Sequence, residues 1–149
     1  MPLIRLDDYS FHSTMAASLI PAWIADAPGF DLPRARHLLA RYRSVRHLLV
    51  GAWYPLLPYS RSPRDRMAMQ FHRPDLGAGM ILAFRHAESP YHTTEVALCG
   101  LNAGRKYTLV FDSSGEKRKA RGADLMKMLL VSLDQRPSSE LIEYREAEE

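Results

Sequence analysis

Cysteine is nearly absent from this sequence. Cys99 is the only cysteine among 149 residues, so the chain cannot form a disulfide within itself. Proteins without disulfides are typical of reducing compartments, which favours a cytoplasmic location. The sequence also lacks an apolar run of the roughly 18 residues that would span a bilayer. Its first ten residues, MPLIRLDDYS, contain no apolar run behind a basic start, so no secretory signal is expected.

The signatures of several enzyme classes are missing as well. There is no glycine-rich loop for binding phosphates and no G-x-S-x-G nucleophile elbow. The spacing of metal ligands is also absent, because His37 and His47 lie ten residues apart, while His86 and His92 flank a loop without a cysteine or carboxylate pattern. We therefore expect no metal site and no cofactor.

The acidic residues do not form the pair that glycosidic-bond hydrolysis requires, which is two carboxyl groups about 5 to 10 Å apart on a rigid scaffold. Asp7 and Asp8 are adjacent, so in a strand their side chains would point to opposite faces. The other acids considered fall in a loop, at a helix cap or at strand ends: Asp26, Asp31, Glu95 and Asp112. No catalytic residue is expected in this chain.

The net charge of the chain does not indicate a class of binding partner. The chain has 20 Lys and Arg against 17 Asp and Glu, a formal net charge of +3, which is too small to define a nucleic-acid-binding protein. Arginines nevertheless cluster on one predicted helix: Arg34, Arg36, Arg41, Arg43 and Arg46. An interaction module or nucleic-acid module that uses this helix stays open as an alternative.

The apolar content, 46%, is sufficient for a hydrophobic core. In the first third of the chain it follows a helical period. Asp31 is a good N-cap and Pro33 suits the first turn. Apolar residues at three- and four-residue steps then predict an amphipathic helix from about Leu32 to Leu49, ending at Gly51.

Beyond Met67 the apolar residues recur at every second position, as in half-buried strands. Turn-forming residues separate the alternating segments, for example at Pro74 to Gly77 and at Ser113 to Gly115. Six or more short strands predict a mainly β fold, an antiparallel β-sandwich, with a helical turn near Ala123 to Lys127 and a final strand around Ile142 and Tyr144.

These patterns predict three parts. Residues 1–50 form a strand-loop-helix unit with its strand at Tyr9 to His12, residues 51–66 form a linker, and residues 67–149 form the β-sandwich. A sandwich covers its own inner faces, so the apolar helix stripe and the apolar stretch from Met15 to Ile24 would lack a partner surface. We expect that surface to lie outside this chain, and we expect self-association if the chain exists alone.

Several short segments, taken in their order along the chain, resemble segments of a known protein family. They are Gly51 to Ser60 (GAWYPLLPYS), Met69 to Met80 (MQFHRPDLGAGM), Leu98 to Asn102 (LCGLN) with Lys106-Tyr107, Gly122 to Met126 (GADLM), and Ile142 to Tyr144 (IEY). Their order and spacing resemble the C-terminal part of α-galactosidase-like enzymes, which are melibiase-type and related to glycoside hydrolase family 36.

The resemblance implies that a (β/α)₈ barrel precedes the sandwich in a parent enzyme. Such a barrel needs roughly 250 residues, more than this chain contains. The strand-loop-helix unit would then be the last barrel strand and helix. The family's catalytic aspartates lie on earlier barrel strands, so no residue here corresponds to them. The missing barrel is the expected partner, and the implied role of this chain is accessory and structural.

The same resemblance places three residues near the substrate rim of the barrel, His12, Ser13 and Trp23, because barrel active sites lie at the C-terminal ends of strands. The family often has an acidic residue after this tryptophan, whereas this chain has Ile24. A stand-alone carbohydrate-binding module is the other alternative. Such a module would use exposed aromatic residues, with Tyr91 or Trp53 as the main candidates among the aromatics that could stack on sugar rings: Trp23, Trp53, Tyr54, Tyr59 and Tyr91.

Overall fold

The N-terminal part of the chain is helical. The computed structural model describes residues 5–148. Helix α1 spans Asp8–His12, and helix α2 spans Leu32–Val45 and continues into a 3-10 turn over Arg46–Leu48. The Asp31 carboxylate accepts a hydrogen bond from the backbone N–H of Arg34 at 2.9 Å. The amphipathic helix predicted after Asp31 is therefore confirmed, together with its cap.

The strand predicted at Tyr9 to His12 is wrong. These residues belong to α1, because the Asp7 side chain accepts a hydrogen bond from the backbone N–H of Ser10 at 2.8 Å and caps a first helical turn. Nothing in the short apolar pattern distinguishes one helical turn from one short strand. The N-terminal part is thus helix-loop-helix rather than strand-loop-helix.

The rest of the chain forms two antiparallel sheets. Their strands are β1 (Ala52–Pro55), β2 (Arg66–Arg73), β3 (Ala78–Arg85), β4 (Thr93–Val96), β5 (Lys106–Phe111), β6 (Lys117–Arg121), β7 (Leu129–Ser132) and β8 (Ser138–Glu146), with the short helix α3 (Gly122–Leu125) between β6 and β7. Six strands pair in the order β1-β2-β3-β8-β5-β6, and β4 pairs with β7. The predicted mainly β, antiparallel sandwich-like fold is confirmed.

The linker predicted for residues 51–66 contains β1, which pairs with β2 and places Trp53 opposite Phe71. Its proline, Pro55, lies on an edge strand, where a missing N–H is tolerated. The first part of this segment therefore belongs to the six-stranded sheet.

Strand β3 is buried along its whole length because the sheet is covered on both faces. Its Ile81 and Ala83 face the small sheet and join the inner core, which also includes Leu109, Leu129, Val131 and Ile142. Its Ala78, Met80, Leu82 and Phe84 face the helices and join the helix-side core, which also includes Phe11, Leu38, Tyr42, Val45 and Leu48. The protein is therefore a three-layer structure with the large sheet in the middle.

This arrangement overturns one expectation. The apolar stripe of α2 does have a partner surface within the chain, namely the outer face of β3 and β8. The Tyr42 hydroxyl also donates to the carbonyls of Ala16 and Ala17 and so ties the segment between α1 and α2 to helix α2. Only part of the Met15 to Ile24 stretch stays uncovered: Met15 is buried, whereas Ile20 is 82% and Ile24 is 53% exposed.

A buried polar network links β2, β8 and the segment after β4. The Gln70 side chain, fully buried, donates to Tyr144 Oη at 2.7 Å and exchanges hydrogen bonds with the backbone of Cys99. The Nδ1 atom of His72 lies 3.0 Å from the same hydroxyl. Burial raises the pKa of Tyr144 and lowers the pKa of His72, so both are neutral near pH 7.

Candidate functional site

The first candidate site surrounds His12 at the end of α1. His12 is 4% exposed, and its Nδ1 lies 2.9 Å from Ser139 Oγ on β8. Burial lowers the pKa of His12, although the carboxylates of Asp8 and Asp112 act in the opposite direction. The ring is therefore neutral near pH 7 and joins the N-terminal helix to the sheet.

A small cavity of about 190 Å³ borders this histidine, lined by Asp8, His12, Arg34, His37, Asp112, Ser113, Ser139 and Glu140. Its charged groups are engaged with one another or with backbone. Arg34 pairs with Asp8 at 2.7 Å, and Arg41 pairs with Asp112 at 2.6 Å. Glu140 accepts hydrogen bonds from the backbone N–H and the hydroxyl of Ser113. These contacts join α1 to α2, α2 to the turn after β5, and that turn to β8.

Two of the arginines that suggested a basic helix face belong to this network. Arg41 pairs with Asp112 and also with Glu143 at 3.1 Å, and Arg34 pairs with Asp8. A continuous basic stripe for nucleic acid is thereby interrupted by acidic partners. Across residues 5–148, no group of three or more His, Cys, Asp or Glu side chains is placed to hold a metal ion.

The second candidate site is the surrounding of Trp23. Its ring stacks on Phe11 with a centroid distance of 6.0 Å, and Phe30 lies on another side at 6.1 Å. The indole Nε1 is buried and has no hydrogen-bond acceptor among the described residues. A mainly apolar cavity of about 320 Å³ opens beside the ring, lined by Leu6, Trp23, Ile24, Ala27, Pro28, Gly29, Phe30 and Asp31.

The three residues predicted near substrate do not form one site. His12 and Trp23 line different cavities. Ser13 is exposed at the end of α1 and donates its hydroxyl proton to the Ser10 carbonyl at 2.7 Å, so it lines neither cavity. Contact with a sugar by any of the three stays a prediction.

A third candidate site brings together aromatic residues that the sequence shows far apart. Tyr59 and Tyr91 are 87% and 57% exposed. They border one cleft of about 380 Å³, lined by Leu57, Pro58, Tyr59, Ser60, Asp65, Arg66 and Tyr91. Sequence reasoning identified both tyrosines as possible sugar platforms but gave no sign that they share a cleft, because that depends on how the loops before β2 and β4 meet.

Comparisons with known proteins give a consistent picture of the fold. No family model matches the sequence, and no curated protein matches it. Solved structures do match. The glycoside hydrolase family 36 α-galactosidase AgaA of Geobacillus stearothermophilus is 20% identical with a TM-score of 0.64, and AgaB of the same organism is 23% identical with a TM-score of 0.61.

The galactosidase domain of an α-galactosidase–sucrose kinase also matches, at 19% identity and a TM-score of 0.61. In all three comparisons the match covers 83% of this chain but only 17% of the other chain. Within residues 5–148, no helix has both the length and the apolarity to cross a bilayer. The predicted resemblance to family 36 α-galactosidases is thus confirmed for the fold, which this chain shares with a small portion of those enzymes.

Proposed function

We propose that this chain is an accessory, structural region of an α-galactosidase-like glycoside hydrolase and that it carries no catalytic carboxylate. The observation that carries the proposal is the pair of coverages: the match takes in 83% of this chain and 17% of each α-galactosidase chain. Most of such an enzyme lies outside the matched portion. In the proposal, that remainder includes the barrel that the sequence resemblance implies.

The carboxylates of the His12 cavity support a structural role. A glycosidase acid or nucleophile needs a carboxyl group that can reach the glycosidic bond. Here Asp8 and Asp112 are held by arginines, and Glu140 is held by Ser113. The Asp8 pair joins α1 to α2, the Asp112 pair joins α2 to the turn after β5, and Glu140 joins that turn to β8, so all three carboxylates have structural contacts.

The surface around Trp23 is the proposed contact with the catalytic domain. Ile24, which lines the apolar cavity, is 53% exposed, and two further apolar side chains of the N-terminal part, Ile20 and Leu32, are 82% and 44% exposed. A docked domain would cover these side chains and supply an acceptor for the buried indole N–H of Trp23. Of the three residues predicted near substrate, only Trp23 is still proposed to lie near it, because its ring borders an open cavity.

Two further points belong to the proposal. The single thiol, Cys99, fits a reducing compartment, so we place the parent enzyme in the cytoplasm.

The second candidate function is a stand-alone carbohydrate-binding module. The observation favouring it is the cleft that Tyr59 and Tyr91 border together.

Hydrolysis assays test the absence of catalysis. The chain is incubated with 4-nitrophenyl α-D-galactopyranoside and with raffinose, and the release of nitrophenol or galactose is measured. We expect no rate above buffer. Turnover that co-purifies with the chain and disappears on substitution of Glu140 by Gln would contradict the proposal, because a carboxylate of this chain would then act on substrate.

A further inference from the structure

The cleft between the loop before β2 and the loop before β4 has the composition of a sugar site. We propose that it binds a neutral oligosaccharide by stacking a sugar ring on Tyr59 and Tyr91 and by hydrogen-bonding ring hydroxyls to Asp65 and Arg66. The proposal does not depend on the accessory role, because the cleft is complete within this chain.

Two exposed aromatic rings border the cleft. Tyr59 is 87% exposed, which leaves the large apolar ring in water although its neighbours are well ordered by hydrogen bonds. Tyr91 is 57% exposed and borders the same cleft. An aromatic ring offers a flat apolar face beside a polar hydroxyl, which suits a pyranose with one C–H face and a rim of hydroxyl groups.

Two charged side chains, Asp65 and Arg66, line the same cleft as the tyrosines. The guanidinium of Arg66 lies over the Tyr91 ring, 4.8 Å from its centroid, and donates to the Thr93 carbonyl. Asp65 accepts a hydrogen bond from the Ser60 hydroxyl. A carboxylate has about four acceptor sites and a guanidinium five N–H donors, so both groups can also bond sugar hydroxyls.

The loops that carry these side chains are held in place without a ligand. On one side, Asp65 donates its backbone N–H to the Ser62 carbonyl at 3.2 Å, and Ser62 donates to Ser60 Oγ at 3.1 Å. On the other side, Arg85 is only 3% exposed and donates to the Ser89, Leu133 and Asp134 carbonyls. A site built this way loses little conformational entropy when it binds.

Arg85 fixes the loop that carries Tyr91. Its buried guanidinium donates hydrogen bonds to a backbone carbonyl of the loop that carries Tyr91, Ser89 O at 3.0 Å, and to a carbonyl of the segment after β7. A buried charge is retained only when its donors are satisfied. The fixed position of the loop, and therefore of Tyr91, is the result.

The electrostatics select a neutral ligand over an anion. The carboxylate of Asp65 lines the same cleft and repels a phosphate or a second carboxylate. The volume of about 380 Å³ lies at the lower end of the range of roughly 300–1,000 Å³ for small-molecule sites. One or two sugar units of a longer chain are therefore the fitting occupants.

Chemical-shift mapping on the ¹⁵N-labelled chain tests the proposal. The probes are raffinose, cellotriose and maltotriose at millimolar concentrations, with sodium phosphate as the anionic probe. We expect at least one trisaccharide to shift the amide signals of the non-proline residues among 57–66 and of Tyr91, and phosphate to leave them unchanged. No response to any trisaccharide, or a response to phosphate alone, would overturn the assignment.

Variants make the test specific. Tyr59→Ala and Tyr91→Ala should each weaken binding at least tenfold, while Tyr59→Phe should keep it within about threefold, because the ring and not the hydroxyl does the stacking. Trp53→Ala is the matched control, since Trp53 is 56% exposed on β1 and does not line the cleft. Equal loss in the Trp53 variant, or unchanged binding in both tyrosine variants, would contradict the proposal.

Discussion

The N-terminal unit (residues 5–51) and the sandwich (residues 52–148) bury their apolar residues in different ways. The sandwich encloses a core between its own two sheets, with Leu109 and Ile142 fully buried. The N-terminal unit has no core of its own: it places one face on the large sheet and leaves Ile20 and Ile24 in water. The sandwich therefore forms its inner core alone but needs the N-terminal unit to cover the outer face of its large sheet, whereas the N-terminal unit has a second, uncovered apolar face.

The largest effect is expected inside the sandwich. A Cβ atom on Gly79 of β3 would overlap Tyr144 Oη and the Phe71 carbonyl oxygen, and neither neighbour can give way without disturbing the polar network. Gly79→Ala should therefore cost about 3 kcal/mol or more in the free energy of unfolding, measured by urea denaturation. Gly104→Ala, whose Cβ would lie 3.6 Å from its nearest neighbour, Asn102 Oδ1, is the matched control and should cost little.

The next effect concerns the junction between the two regions. Leu38 is 2% exposed between α2 and the sheet, and Leu38→Ala should cost about 2 to 3 kcal/mol because it leaves a cavity there. Trp23 reports on the N-terminal unit and Trp53 on the sandwich, so the single-tryptophan variants Trp23→Phe and Trp53→Phe separate their fluorescence. Because β3 contributes to both cores, we expect Leu38→Ala to lower the urea midpoint seen by Trp23 fluorescence and the one seen by Trp53 fluorescence by the same amount. A shift confined to Trp23 would show that the N-terminal unit unfolds separately.

Two buried histidines should make the free energy of unfolding depend on pH. His12 lies at the junction of the two regions, and His72 lies in the sandwich. Burial lowers both pKa values, so the unfolded state binds more protons between the lowered values and the ordinary value of 6.5. The free energy of unfolding should therefore be fully retained above about pH 6.5 and fall as the pH drops below it.

Substitution locates this pH dependence. Urea midpoints of the wild type, His12→Gln and His72→Gln are compared at about pH 7.5 and pH 5.5, on either side of an ordinary histidine pKa. Each variant should show a smaller acid loss than the wild type, and the double variant the smallest. An acid loss that is identical in all four proteins would place the titration in other groups.

The smallest change in stability should come from the exposed face of the N-terminal unit. Ile20→Ser with Ile24→Ser should alter the free energy of unfolding by no more than about 0.5 kcal/mol, because both residues are in water. The same pair should weaken any self-association seen in sedimentation velocity at high concentration. Met128→Ser is the control, since Met128 is 52% exposed on the other region. A wild type that stays monomeric at every concentration would contradict the self-association.

Sequence reasoning succeeded where a local signal matched the final environment. Asp31, Pro33 and the stripe after them specify α2 without reference to anything distant. The strand β6 was not predicted, because Lys117 to Arg121 is basic and exposed, as suits a sheet edge, and shows no apolar alternation. Tyr9 to His12 was assigned wrongly because the cap at Asp7 was overlooked.

The tertiary partners were beyond the reach of the sequence. The alternation of apolar residues in β3 predicted a strand. It did not predict that α2 covers the outer face of that strand, because the sequence alone does not show which element packs on which face. His12 and Trp23 are eleven residues apart and were grouped by resemblance, yet they line different cavities. Tyr59 and Tyr91 were considered singly, because only the folded loops bring them to one cleft.

The size of the native polypeptide tests the central claim most directly. An antibody raised against this chain is used to blot an extract of the source cells under denaturing conditions. The account predicts a band far above 17.0 kDa, with room for a barrel of roughly 250 further residues. A single band at 17 kDa would contradict the accessory role.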